Sequence, residues 1–404
     1  MDIKKIDGGI TAAGGYKAAG LSCGIKKSGK KDLALVYSEV PAVGAAVFTK
    51  NHFKAAPVIL SIEKMKNETI RAILINSGNA NACTGEKGKE DAVNLISLTA
   101  EKLNINDDEV HMSSTGIIGE FLPVDIIREG IEEIATMLDK SGSSQAAEAI
   151  MTTDKVKKEI AYSFKLPSDG ITVKVGGMAK GSGMIHPNMA TMLGFITTDI
   201  SITKELLQKA LSEVVDHSFN KISVDGDQST NDSVFLMANA EASNQKITEE
   251  NEDYNAFVEV LKKVSVYLAK AIVLDGEGAT RFITIKVSGA VNYEEADLAA
   301  RKVANSNLVK TACFGGDPNW GRIVAVLGSC DIDVDTNKVG VTINNKLLFN
   351  EGIPINLKKE EMSDLMIEKE ILIEVNLEKG NKEVEFWTSD LTYDYVKINA
   401  EYHT

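Results

Sequence analysis

Apolar residues along the chain recur in two alternating patterns, short uninterrupted runs and longer runs with helical spacing. The short runs at 32–37, 42–48 and 72–75 predict buried strands, the last followed at once by a loop rich in glycine and asparagine. Helical spacing over 91–103 and 124–138 predicts two helices that follow these strands. The alternation of strands and helices indicates an α/β fold.

The second half of the chain continues the alternation. Thr203 is a favourable N-cap residue and precedes a run with apolar residues on one helical face. A second long helix is predicted over 254–273. The remaining apolar runs predict strands at 283–287, 323–327, 371–377 and 384–387. We expect the last two strands to form a β-hairpin that turns at Lys379-Gly-Asn.

Length and composition indicate a globular protein and exclude some partners. The chain has 404 residues, of which 44% are hydrophobic and 25% charged, so two packed units or one domain with long excursions is expected. Its formal net charge of −14 opposes contact with nucleic acid and with anionic membranes. The amino terminus lacks the apolar segment of a signal peptide, so we expect a cytoplasmic protein.

Neither the cysteines nor the histidines indicate a metal site. The four cysteines are widely spaced without a C-x-x-C pair, and the histidines show no ligand spacing. We therefore expect no metal and no cofactor.

The stretch 175–194 is the richest in candidate chemistry, since four glycines surround Lys180. It has neither the spacing of a phosphate-binding loop nor that of a dinucleotide-binding fingerprint. From the residues alone it predicts a mobile loop before a buried segment, and spacing alone does not distinguish Thr191.

The same stretch supports a more specific interpretation through resemblance. The run Lys180-Gly-Ser-Gly-Met-Ile-His-Pro-Asn-Met-Ala-Thr-Met-Leu resembles the self-cleavage segment of the ornithine acetyltransferase family, the glutamate N-acetyltransferases of arginine biosynthesis. Further blocks that resemble the family are Ala18-Ala-Gly-Leu-Ser-Cys-Gly-Ile-Lys-Lys-Ser-Gly-Lys-Lys-Asp, Ile75-Asn-Ser-Gly-Asn-Ala-Asn-Ala-Cys-Thr-Gly, Ser114-Thr-Gly-Ile-Ile-Gly, Met151-Thr-Thr-Asp, Asp275-Gly-Glu-Gly-Ala-Thr-Arg, Phe314-Gly-Gly-Asp-Pro-Asn-Trp-Gly-Arg and Ile398-Asn-Ala-Glu-Tyr-His-Thr.

The resemblance implies a two-part α/β architecture. It places a self-cleavage site between Ala190 and Thr191, which leaves an α chain of residues 1–190 and a β chain of residues 191–404. The two chains remain interleaved, with the active site at their junction, and two such pairs form a heterotetramer.

The resemblance also implies a reaction. Thr191, once it is amino-terminal, would attack the acetyl group of N-acetylornithine with its own α-amine as base, and glutamate would then take the acetyl group in a ping-pong sequence. Thr115, through its hydroxyl, and Gly116, through its backbone amide, would stabilise the oxyanion.

Substrate contacts follow by the same route. Lys180 corresponds to the family's binding lysine and is expected to meet a carboxylate, while Glu277 is expected to meet an ammonium or assist proton transfer. The family's remaining substrate contacts correspond to Thr152 or Thr153, Thr191, Asn399 and Thr404. The sequence leaves open which of the two adjacent threonines contacts the substrate.

Three alternatives remain at this point. Acetyl-CoA could be a second acetyl donor, which would make the enzyme bifunctional. The chain could be a self-cleaving aminopeptidase or amidohydrolase that passes the acyl group to water. A protein that only binds a small ligand would retain the glycine-rich loops but would have no use for cleavage before Thr191.

Overall fold

The computed structural model describes residues 2–186 and 192–401. The strands are β1 Lys4–Ile6, β2 Tyr16–Leu21, β3 Leu33–Phe48, β4 Ile70–Asn79, β5 Val110–Ile117, β6 Lys158–Lys165, β7 Thr172–Lys180, β8 Leu193–Thr198, β9 Ile222–Ser223, β10 Ser233–Ala238, β11 Phe282–Ala290, β12 Gly340–Ile343, β13 Lys346–Asn350, β14 Ile353–Pro354, β15 Glu370–Asn376 and β16 Lys382–Ser389. The helices are α1 Ala56–Lys64, α2 Gly85–Leu103, α3 Val124–Thr136, α4 Ser143–Ala149, α5 Lys204–Asp216, α6 Glu252–Leu274, α7 Tyr293–Ala304, α8 Asn307–Gly315, α9 Trp320–Leu327, α10 Lys359–Asp364 and α11 Tyr393–Glu401.

The chain divides into two compact units. Of the described residues, the first unit contains those up to 220 together with 227–272, and the second contains 221–226 together with 273–401. Each unit has its own mixed sheet, and the alternation of strands and helices confirms the predicted α/β class.

The sheet of the first unit has nine strands in the order β1-β6-β7-β8-β10-β3-β4-β5, with β2 also paired to β3. The predicted strands at 32–37 and 42–48 are the two halves of the single long strand β3. Leu33 and Leu35 belong to one apolar cluster, with α2 and α3, whereas Ala34 and Val36 belong to another, with α4. Because both faces are covered, the four consecutive residues 33–36 are all apolar.

Strands β7 and β8 lie on either side of the predicted cut and pair antiparallel, with Lys180 opposite Leu193. Strand β8 pairs in parallel with β10 on its other edge. The sheet therefore takes neighbouring strands from both predicted chains, an arrangement in which separated chains would remain interleaved.

The predicted helices of the first unit are present. The side chain of Thr203 accepts a hydrogen bond from the Leu206 backbone N–H, which confirms it as the N-cap of α5. Helix α2 begins at Gly85, six residues before the predicted start, because its first turn is polar and lies outside the apolar pattern. Within the described residues, no helix is both long and apolar enough to cross a membrane.

The sheet of the second unit has seven strands in the order β14-β13-β12-β15-β11-β16-β9. Its core lies between this sheet and helices α7, α8 and α9. The predicted strand at 283–287 is confirmed as the centre of β11, whose Ile283, Ile285 and Val287 are buried.

The predicted strand at 323–327 is wrong, because these residues form the end of helix α9. The side chain of Asn319 caps this helix by accepting the Arg322 N–H at 3.1 Å. Ile323 and Leu327 are buried four positions apart, which places both on one helical face. A short apolar run has the same appearance in a buried helix as in a buried strand.

The predicted hairpin is also wrong, although both of its strands exist. Strand β11 lies between them, parallel to β15 and antiparallel to β16. The backbone N–H groups of Leu377, Lys379 and Gly380 bond to carbonyl groups of Ser288 and Gly289, so the connection crosses the end of β11. Strands β15 and β16 therefore each pair with β11, an apolar strand from another part of the chain, and not with each other.

Candidate active site

The centre of the candidate site is the end of the parallel pair β4–β5, where Gly78 lies opposite Gly116. Gly116 has φ +136°, and a Cβ atom there would lie 2.3 Å from the carbonyl carbon of Gly78. Only glycine accommodates this close approach in this conformation. The backbone at the residue predicted to stabilise an oxyanion is therefore held against its neighbouring strand.

Buried hydrogen bonds fix the strand end around Thr115. The side chain of Ser114 donates to Asn76 Oδ1 at 2.5 Å. Asn231 Nδ2 donates to the carbonyl groups of both Ala80 and Ser114, at 2.6 and 2.8 Å. These groups are shielded from water, so the bonds oppose movement of the Ser114–Thr115 backbone.

Lys180 is the last residue of β7 and is only 8% exposed. Its Nζ donates a hydrogen bond to Thr115 Oγ1 at 3.2 Å. Two residues predicted for the site, 65 positions apart in the chain, are thus in contact.

A buried carboxylate joins the segments that carry the other predicted residues of this unit. Asp154 accepts hydrogen bonds from the backbone N–H groups of Thr152 and Gly181 at 2.9 and 2.8 Å, and from Lys158 Nζ at 2.7 Å. Burial raises the pKa of Asp154, but the opposing effect of Lys158, Lys180 and the Gly181 N–H is larger and holds it at about 2. The Thr152–Thr153 turn and the end of β7 therefore share one anchor.

Thr152 and Thr153 are both half-buried. The described hydrogen bond of Thr152 uses its backbone N–H rather than its hydroxyl. Which hydroxyl contacts the substrate stays open, as it was in the sequence.

The second unit brings together two further predicted residues. Asn399, on α11, donates from Nδ2 to Glu277 Oε2 at 2.8 Å, and Glu277 is only 7% exposed. The hydroxyl of Thr392 donates to the Gly278 carbonyl at 2.8 Å, which fixes the turn after Glu277. This pair offers a carboxylate and an amide side by side, suited to an ammonium ligand.

The predicted cleavage pair, Ala190 and Thr191, and the predicted carboxy-terminal contact Thr404 lie outside the described residues. Their roles stay predictions. No group of His, Cys, Asp and Glu within the described ranges is arranged to hold a metal ion.

Two residues at the candidate site were missed by the sequence analysis. Asp154 ends the quoted block Met151-Thr-Thr-Asp, and Lys26 lies within the block that begins at Ala18. In the sequence, only their position inside these blocks indicated that Asp154 and Lys26 belong to the site. Their contacts join segments far apart in the chain, which no local pattern reveals.

Comparison with known proteins gives matches over almost the full length. A protein of Bacillus licheniformis named arginine biosynthesis bifunctional protein ArgJ is 46% identical over 403 residues, covering 100% of this chain and 98% of its own. A Clostridium acetobutylicum protein, arginine biosynthesis bifunctional protein ArgJ 1, is 47% identical over 399 residues, covering 98% and 97%. The solved structure of an ornithine acetyltransferase from Mycobacterium tuberculosis, complexed with ornithine, is 40% identical and covers 47% of this chain and 100% of that one, with a TM-score of 0.43.

The class of protein follows from the sequence relatives: this is an acyltransferase, an enzyme of arginine biosynthesis, and its fold is mixed α/β. The sequence model of the ArgJ family matches residues 17–404. The chain belongs to the ArgJ family, which confirms the resemblance carried by its sequence blocks.

Proposed function

We propose that the enzyme transfers an acetyl group from N2-acetyl-L-ornithine to L-glutamate through an acetyl ester on Thr191. Membership of the ArgJ family supports a reaction of arginine biosynthesis. The observation that carries the site is the hydrogen bond from Lys180 to Thr115 beside Gly116. This contact places a cation beside Thr115 and Gly116, the two residues proposed as oxyanion donors, in one corner of the first unit.

The nucleophile in this proposal is made by cleavage between Ala190 and Thr191. An internal threonine hydroxyl is a weak nucleophile, whereas an amino-terminal threonine has a free α-amine with a pKa of about 8. That amine can accept the hydroxyl proton during attack. Residues 1–190 then form the α chain and residues 191–404 the β chain.

The contact between Lys180 and Thr115 favours an oxyanion role. An ammonium group only donates, so Thr115 accepts this bond and its own hydroxyl hydrogen remains available. Donation from Lys180 also polarises the hydroxyl and makes it a better donor. Together with the Gly116 amide, it can stabilise the negative oxygen of each tetrahedral intermediate.

The two halves of the reaction use the same ester. Thr191 attacks the acetyl carbonyl carbon, the C–N bond breaks, and ornithine leaves with a proton. The amine of glutamate then attacks the ester carbon, loses a proton and releases Thr191. Lys180 binds a substrate carboxylate, the Glu277–Asn399 pair binds an ammonium, and Thr152 or Thr153 and Thr404 supply polar contacts. The nucleophile, the base and the oxyanion donors are all protein groups, so the proposal includes no cofactor.

A second activity is supported by the relatives, which are named bifunctional. We therefore add acetyl-CoA as an alternative acetyl donor to glutamate. We also propose that the enzyme is a cytoplasmic heterotetramer of two α and two β chains.

The test is direct. Purified protein is incubated with N-acetylornithine and glutamate, and ornithine and N-acetylglutamate are quantified. Formation of the two products in equal amounts is expected, and a parallel reaction with acetyl-CoA measures the second activity. Release of free acetate without N-acetylglutamate would instead support an amidohydrolase.

A further inference from the structure

Lys26 lies in the loop between β2 and β3, and its backbone position is fixed. The carboxylate of Asp32 is fully buried and accepts hydrogen bonds from the backbone N–H groups of Cys23, Gly24 and Lys26, at 2.7, 3.1 and 2.9 Å. Three charge-assisted bonds to one carboxylate hold this loop in a single conformation. The backbone atoms from which the Lys26 side chain extends are therefore held in place.

That side chain runs along the candidate oxyanion corner. A Cβ atom on Gly78 would lie 3.1 Å from Lys26 Cγ, so the lysine stem packs on the glycine that faces Gly116. The Nζ atom donates to the carbonyl of Met151 at 2.6 Å, immediately before Thr152. The ammonium group is thus placed beside two segments that carry predicted site residues.

The charge of Lys26 has no carboxylate partner at ion-pair distance within the described parts of the chain. Its two hydrogen bonds go to neutral carbonyl groups, those of Met151 and Lys31, and an ammonium has three donors. The carboxylates that attract it, Asp32 and Asp154, already accept bonds from other groups. One N–H and a positive charge without an ion-pair contact among the described residues remain for a ligand.

Burial and the charges around Lys26 allow its side chain to be either protonated or neutral. Burial, together with the cations of Lys180 and Lys30, lowers its pKa more than Asp32 and Asp154 raise it, so that the pKa is about 8. A bound anion would favour the charged lysine, while a bound cation would favour the neutral one. One residue can therefore tolerate substrates with side chains of opposite charge.

We infer that Lys26 binds the side-chain carboxylate of the acetyl acceptor, while Lys180 binds the α-carboxylate that donor and acceptor share. The inference rests on the proposed function and extends it. Lys26 then sets the preference for an anionic acceptor. The donor half of the reaction does not need Lys26 to be charged. Lys26 would thus determine specificity in the second half only.

The experiment separates the two halves in the full-length Lys26→Gln variant. Glutamine at this position can still donate a hydrogen bond to the Met151 carbonyl but carries no charge. We expect rapid release of ornithine from N-acetylornithine at the wild-type rate, and a KM for glutamate that is roughly 10- to 100-fold higher. L-glutamine, tested as a neutral acceptor, should be nearly as good as glutamate for the variant and much worse for the wild type.

Lys27→Gln is the matched control. Lys27 is exposed, neighbours Lys26 in the chain, and makes no described hydrogen bond or ion pair. Lys27→Gln removes one positive charge from the loop, as Lys26→Gln does, and should leave both half-reactions unchanged. A KM for glutamate that rises equally in both variants would indicate general attraction rather than a binding contact, and would overturn the inference.

Two further outcomes are distinguishable. If the wild type releases no ornithine from N-acetylornithine, the proposed function itself is wrong, and the inference fails with it. If the wild type is active and Lys26→Gln retains its preference for glutamate over glutamine, only the inference is wrong. Lys26→Arg keeps both the charge and the carbonyl contacts, so it should keep the preference for glutamate. This variant tests the inference even if Lys26→Gln does not fold. Loss of the preference for glutamate in a folded Lys26→Arg protein would contradict the assignment.

Discussion

The hydroxyl of Thr115 has a hydrogen available for donation. Its oxygen accepts from Lys180, and within the described residues no acceptor takes its hydrogen. The neighbouring Gly116 has a backbone conformation that only glycine adopts readily, because φ is +136° and Gly78 is in close contact. These contacts fix the backbone of this corner, as the proposed stabilisation of an oxyanion requires.

Thr115→Ala tests that function at the residue itself. Loss of one oxyanion donor should lower kcat by roughly 100- to 1,000-fold, with little change in KM, because the oxyanion exists only in the transition state. Steady-state kinetics with varied N-acetylornithine measure both constants. Thr115→Ser, which keeps the hydroxyl, is the control and should stay close to the wild type; a variant altered in KM alone would speak against this role.

Sequence reasoning at this scale depended on the family blocks. Thr115 and Lys180 were proposed from them, and the structure brings the two side chains together. Lys26 and Asp154 were missed because their importance comes from contacts with Met151 and Gly181, across separations of 125 and 27 positions. Such contacts depend on strand pairing, which has no local signature.

At the scale of elements, Asp154 connects the segment after α4, the start of β6 and the end of β7 through three hydrogen bonds. Asp154 and Lys158 are almost completely buried, with side chains 0% and 1% exposed. Removal of one partner would leave the other as an uncompensated buried charge, at a cost of about 3–5 kcal/mol. The pair must therefore be replaced together if its effect on pH dependence is to be measured.

Acid should weaken this junction. The pKa of Asp154 is about 2 in the folded protein and about 4 for an unfolded chain, so its stabilising contribution is complete above about pH 4. That contribution is lost as pH falls toward 2, because the unfolded chain then binds the proton more tightly. Denaturant titrations at pH 6 and pH 3 should show the wild type losing about 1 kcal/mol more stability than Asp154→Asn/Lys158→Met.

Equal losses in the two proteins between these pH values would contradict the assigned pKa of Asp154. Lys209→Met removes one partner of an exposed ion pair, Lys209–Glu250, elsewhere in the first unit. It should follow the wild-type pH profile, because a pair screened by water contributes little to stability.

Helices were the elements predicted best, since helical spacing over many residues is a strong signal. Helices α3, α5 and α6 are present close to the predicted positions. The errors were the short run at 323–327 and the pairing of β15 with β16. Five apolar residues do not separate a helix from a strand, and proximity in sequence does not decide which strands pair when a third strand can lie between them.

At the scale of the whole molecule, packing and the predicted cut divide the chain differently. The first unit includes β8, α5, β10 and most of α6, which all follow Thr191. Its sheet pairs β7 with β8, so strands from both predicted chains would share backbone hydrogen bonds after cleavage. These shared bonds give a physical reason for two cleaved chains to stay together.

Family membership was predictable from the sequence because several separated blocks occur together in one order. Composition and periodicity alone gave only an α/β protein with no preferred chemistry. Two packed units were one of the two arrangements expected from chain length. The boundary between them was not predictable, because residues 221–226 join the second unit through the pairing of β9 with β16.

The proposed reaction requires a nucleophile created by peptide-bond cleavage before Thr191. Intact-mass measurement of the purified protein, with amino-terminal sequencing of each fragment, tests this directly. We expect two fragments, residues 1–190 and 191–404, with one acetyl group added to the second after mixing with N-acetylornithine, and a single uncut, inactive chain for Thr191→Ala. A fully active wild-type protein that remains one chain, or a second fragment that begins at another residue, would contradict the account.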